Sequence, residues 1–165
     1  MRELELRPYN DETDREALWR LKCAFETDLG AGTGGESKAE RYAEKLTDEY
    51  RLQWLAWVDR CLAEDDRCVT LAVSGDEAVG YVFLLPERLA FVWDAAVVNE
   101  LYVVPERRGT GVADDLLETA TAVARDQALP LDRLLLDVDP NNERAYGFYQ
   151  KHGFEPWGEI VAKGL

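Results

Sequence analysis

Glu100-Leu101-Tyr102-Val103-Val104-Pro105-Glu106-Arg107-Arg108-Gly109-Thr110-Gly111-Val112-Ala113 reads as a strand that stops at a proline, turns through a basic, glycine-containing loop and opens a helix. The first peptide N–H groups of a helix have no partner inside it, and the aligned peptide dipoles place partial positive charge there, so main chain alone can hold a pyrophosphate. Glycine lets the phosphate come close. Arg107 and Arg108 either add charge for such an anion or pair with neighbouring carboxylates such as Glu106 or Asp114. Asp114 and Asp115 would repel a phosphate directly opposite, so they are expected to point aside.

Two blocks in order carry a family resemblance. Arg108-Gly109-Thr110-Gly111-Val112-Ala113 matches the Arg/Gln-x-x-Gly-x-Gly/Ala signature of the GNAT (GCN5-related) N-acetyltransferases, and Asn142-x-x-Ala145-x-x-Phe148-Tyr149-x-x-x-Gly153-Phe154 resembles their later Asn-x-x-Ala, Phe-Tyr, Gly-Phe block. The likeness is specific over residues 100–154 and topological before them.

It implies acetyl-CoA as cosubstrate, with the amides of Arg108, Gly109, Thr110, Gly111, Val112 and Ala113 on its pyrophosphate. Leu101 and Val103 would present strand main chain to the pantetheine arm while their side chains stay in the core. Asn142 would stand beside the pantetheine, a role compatible with capping the next helix. Tyr149 would protonate the departing thiolate, the alternative being a merely packed aromatic. Lysine-type amines have a pKa of about 10.4, so a base must help remove a proton. Glu100 is the candidate, directly or through water, against a reading as solvated surface charge; Asp94 and Glu26 are weaker ones.

Outward from these blocks, Leu4–Arg7 alternates at period two and Asn10-Asp11 offers turn chemistry. Ala17, Leu18, Leu21, Ala24 and Phe25 mark a first amphipathic helix. Gly30–Gly35 contains a formal GxGxxG, but it follows a helix rather than a strand and reads as a flexible connector, not a dinucleotide loop. Residues 37–62 read as one long second helix. Val69–Val73 and Ala78–Leu85 form a hairpin across Ser74–Glu77, Phe91–Val104 another β-rich run, Leu116–Ala128 a helix, Leu134–Val138 a strand, Asn142–His152 a helix and Phe154 onwards a last extended segment. The expected class is mixed α+β, a largely antiparallel sheet flanked by helices in the order βααβββαβαβ, within a single domain spanning 1–165.

With 165 residues the chain can bury a full core but not two. Cys23, Cys61 and Cys68 form no CxxC pair, and the single His152 completes no zinc cluster, so they read as buried small apolar groups and no metal is expected. No apolar run approaches a membrane span, and the N-terminus lacks a signal-peptide core, which points to the cytoplasm without membrane attachment. A net charge of -14 repels nucleic acid. It either steers a cationic amine or, with arginine far exceeding lysine, reflects a halophile-like surface. The activity that the resemblance implies is direct acetyl transfer to a primary amine of a small molecule or protein, with a homodimer as one assembly. The alternatives are a non-catalytic acyl-CoA-binding module and a protein N-terminal or ribosomal-protein acetyltransferase.

Overall fold

In the computed structural model, which describes residues 3–33 and 35–165 and leaves out the side chains of 31–37, the β-rich runs pair into one five-stranded sheet of order β1-β2-β3-β4-β5. β1 (Leu4–Pro8), β2 (Val69–Ser74), β3 (Glu77–Leu84) and β4 (Ala96–Val103) are antiparallel neighbours; β5 (Leu134–Leu135) joins β4 in parallel. Gly75, at φ 65, makes the β2–β3 turn. The parallel pair needs a crossover, and α4 (Val112–Arg125) supplies it.

α1 (Arg15–Thr33) and α3 (Asp48–Glu64) cover one face of the sheet, where Leu18, Leu21, Val58 and Cys61 pack on Leu71, Tyr81 and Phe83. α4 covers the other, where Leu116, Leu117 and Ala120 pack on Ala72, Val82 and Val98. Each leucine buried this way contributes roughly 1.5–3 kcal/mol. The mixed α+β class is as expected. No helix among the described residues is long and apolar enough to cross a membrane.

Three expectations are corrected. The single helix over 37–62 is two, α2 (Gly35–Glu44) and α3, because Thr47 caps the second with its hydroxyl, which accepts from Tyr50 N at 3.1 Å. The connector at 30–35 is helical through Thr33 and again from Gly35, while Gly34 lies outside the described residues. A Cβ on Gly30 would come 2.8 Å from Ala39 Cα, so this glycine serves the α1–α2 contact. The last strand does not form: residues 154–165 hold no regular structure, β5 offers only two residues of edge, and Pro156 has no N–H to give a ladder. The order is βαααβββαβα, closing with α5 (Glu143–Lys151).

β4 carries a bulge. Glu100 pairs with Phe83 and Val98 with Leu84, leaving Asn99 without a partner on β3. The extra residue inverts the alternation of faces. Before it Ala96 and Val98 pack on the α4 side; after it Leu101 and Val103 do, and Tyr102 turns to the α1–α3 side.

Candidate functional site

β4 and β5 part almost at once. Their ladder holds Ala96 to Leu134 and Val97 to Leu135, so from Val98 to Val103 the β4 edge facing away from β3 has no strand beside it. Leu101 is half-buried and Val103 buried, both packed toward α4. Their side chains are core, as expected, and their main chain borders the opening. One carbonyl there is taken: Arg108 Nε donates to Val103 O at 3.0 Å.

The loop after β4 is shaped by two left-handed glycines, Gly109 at φ 74 and Gly111 at φ 92, a region that favours glycine. Nothing lies within 4 Å of where a Cβ would stand on either, so both face open space. Gly111 is the N-cap of α4 and offers no side-chain acceptor. The peptide N–H groups from Gly109 to Asp114, which include Thr110, Val112 and Ala113, make no well-formed hydrogen bond to any described residue.

The arginines are committed elsewhere. Arg107 donates to Ser74 Oγ at 2.6 Å, and Arg108 pairs with Asp28 at 2.7 Å while lying 5.5 Å from the Tyr102 ring centre. Neither pairs with Glu106 or Asp114. Asp114 does turn aside, to Lys151 at 3.0 Å and His152 at 2.8 Å. The Lys151 hydrogen bond, aided by His152, holds its carboxyl below the usual range. These contacts fasten the end of α5 to the start of α4.

Asn142 caps α5, its Oδ1 accepting from Ala145 N at 3.2 Å. Tyr149 is half-buried, edge-on to Phe148 at 5.3 Å and Phe154 at 5.6 Å. Among the described residues none hydrogen-bonds its hydroxyl. Desolvation pushes this phenol up to about 12, with Arg144 pulling the other way. Arg144, in the first turn of α5, is itself lowered by partial burial and by the charge of Arg108.

Glu100 is 6% exposed, so it is no solvated surface charge. Oε1 accepts from Tyr81 OH at 2.7 Å; Oε2 accepts from Lys22 Nζ at 2.8 Å and Asn99 Nδ2 at 3.1 Å. Lys22, 2% exposed, also donates to Glu26 Oε1. Burial pushes the Lys22 ammonium down, but Glu100 and Glu26 outweigh it and hold the pKa above its ordinary value. Desolvation, then Glu100, raises the Tyr81 phenol well above its ordinary value. Glu26, a weaker candidate, therefore sits one ammonium away from Glu100. Asp94 is exposed in the turn before β4, at φ 56, and takes no part.

Lys22, Tyr81 and Arg144 were not singled out in the sequence. Lys22 had a signal: Lys22 and Glu26, spaced i,i+4, interrupt the apolar stripe Leu18, Leu21, Phe25, where an unpaired charge would be costly.

The pattern of the family described as "Acetyltransferase (GNAT) family" matches residues 8–154. A peptidyl-lysine N-acetyltransferase of Escherichia coli, YjaB, is 29% identical over 120 residues, covering 73% of this chain and 70% of the relative. Among solved structures, a GCN5-related N-acetyltransferase from Ralstonia eutropha superposes with a TM-score of 0.69 at 19% identity, covering 98% of both chains. The PaiA N-acetyltransferase of Thermoplasma acidophilum, solved in complex with coenzyme A, gives 0.67 at 22% identity, over 93% of this chain and 90% of that one. With the family pattern running through both the glycine loop and the helix bearing Tyr149, the chain belongs to the acetyltransferase (GNAT) family.

Proposed function

We propose that the protein transfers the acetyl group of acetyl-CoA to a primary amine by direct attack in a ternary complex, with no acyl-enzyme. The observation that carries this reading is the row of peptide N–H groups from Gly109 to Asp114, without a hydrogen-bond partner among the described residues, at the head of a helix whose preceding glycines, Gly109 and Gly111, face open space. When bound, acetyl-CoA supplies an acetyl group already activated as a thioester; the rest falls to the chain.

The amides from Arg108 to Ala113 hold the pyrophosphate, and the edge main chain at Leu101 and Val103 aligns the pantetheine as an added strand. Asn142 has spent its oxygen on the cap, leaving its NH2 to donate. Tyr149 holds the proton for the sulfur, and a pKa pushed up to about 12 keeps it loaded at neutral pH. Glu100, held in place by Lys22 and Tyr81 and reached through water, draws the proton from the acceptor ammonium. The relative named for transfer to peptidyl lysine supports catalysis over mere acyl-CoA binding, and an alkylamine acceptor.

Calorimetric titration with acetyl-CoA, followed by thiol release with a panel of alkylamines, tests the reading. Saturable binding with one thiol freed per amine acetylated is expected. Binding with no release for any amine favours the non-catalytic module, and no binding removes the reading altogether.

A further inference from the structure

The charges on the α1–α3 side end in an exception. Tyr81, Glu100 and Lys22 are dry, and Glu26 is 3% exposed in its side chain, but Lys45, the cation beside Glu26, is 36% exposed. Lys45 belongs to no helix. It lies in the link of residues 45–47 between α2 and α3. Its ammonium stands 2.9 Å from Glu26 Oε2, 4.7 Å from the Tyr42 ring centre and 5.5 Å from that of Tyr50. Glu26 Oε2 receives no aligned hydrogen bond, so this contact is a loose ion pair.

A carboxylate floored and walled by aromatic faces is the chemistry that holds an ammonium. Without Lys45, Glu26 would share the Lys22 ammonium with Glu100, two buried carboxylates on one cation, so the place calls for a second positive charge. The chain otherwise favours arginine, yet three of its five lysines, Lys22, Lys38 and Lys45, gather here, with Lys38 Nζ 5.8 Å from the Tyr42 ring.

We infer that Glu26, Tyr42 and Tyr50 form an ammonium-binding subsite for the acceptor, filled in the free protein by the chain's own Lys45. The acceptor is then an amine with a second positive charge: its distal ammonium displaces Lys45 while its reacting amine lies toward Glu100. This rests on the acetyltransferase reading above. Lys45 can withdraw because its link is short and partly exposed, whereas Lys22, bound to two carboxylates, stays.

The test replaces the lysine by a free amine. The thermal midpoint of Lys45→Ala is followed with butane-1,4-diamine, with butylamine, and with sodium chloride at matched ionic strength, all without acetyl-CoA. The amines should raise it saturably, at concentrations at least tenfold below those at which salt acts, and Glu26→Gln added to Lys45→Ala should abolish the response. Lys45→Met, which keeps the apolar stem, serves if the alanine variant does not fold. In wild type with coenzyme A present, calorimetry should show the diamine binding at least tenfold tighter than butylamine. An amine response no larger than that of salt, or equal affinity of wild type for the two amines, overturns the inference. Coenzyme A affinity is read in the same titration: its loss removes the proposed function while the Lys45→Ala midpoint still decides the subsite.

Discussion

On the α4 side of the sheet the groups without a hydrogen-bond partner among the described residues are the peptide N–H groups of Gly109 to Asp114, in a loop whose two glycines face open space. On the α1–α3 side the polar groups are side chains, Tyr81, Glu100, Lys22 and Glu26, already satisfied by one another. Main-chain recognition is built locally, from one loop and one helix start, and tolerates varied side chains. The charged network draws on α1, β3 and β4, and each member depends on the others. The first region should lose ligand when altered, and the second should lose the fold.

The sharpest break in that contrast is Lys22→Met. It leaves Glu26 and Glu100 buried without their shared cation, and removing one partner from such a set costs about 3–5 kcal/mol. Urea unfolding should show that loss, with coenzyme A affinity per folded molecule unchanged. Tyr149→Phe should then lower kcat about 100-fold, the scale of a lost general acid, leaving acetyl-CoA affinity and the urea midpoint near wild type; an unchanged kcat would leave Tyr149 a packed aromatic. Gly111→Val forces a branched side chain to φ 92, a strain of about 1–3 kcal/mol. Calorimetry should find acetyl-CoA bound about tenfold more weakly while the Lys22–Glu100 side is untouched.

The smallest effect is a pH dependence. Desolvation pushes Tyr149, Tyr9 and Cys68 each up to about 12, while the unfolded chain ionises tyrosine near 10 and cysteine near 8.5 (both approximate). The folded pKa values are raised, so their contribution is complete below the unfolded values and is lost as pH climbs from about 9 toward about 12. The urea midpoint should be flat from pH 7 to 8 and fall beyond 9, and Tyr149→Phe should soften the fall.

The glycine loop was legible because its requirements are local: two residues at positive φ and a helix to follow leave a spacing that can be read directly. The α5 block was legible for the same reason. The carboxylate network was legible only in part: the i,i+4 spacing of Lys22 and Glu26 is local, but Lys22, Tyr81 and Glu100 meet only once α1 lies across β3 and β4, which no spacing announces. The division of the long helix before Thr47 is hidden in the sequence because the apolar stripe runs on across it, although Thr47-Asp48-Glu49 has the chemistry of a helix N-terminus. The tail failed as a strand for want of an edge, a property of β5 rather than of the tail.

Asn99, the unpartnered residue of β4, works as a parity switch for everything downstream of it. Removing Asn99 alone would set Val98 and Glu100 on consecutive positions opposite Leu84 and Phe83 and leave every later side chain on its present face, whereas removing a second residue would trade the places of Glu100 and Leu101, driving a carboxylate under α4 and a leucine against the Lys22 ammonium. The strand should therefore survive the loss of its one extra residue and fail at the loss of the next, which makes a single peptide unit the hinge between the chain's two chemistries.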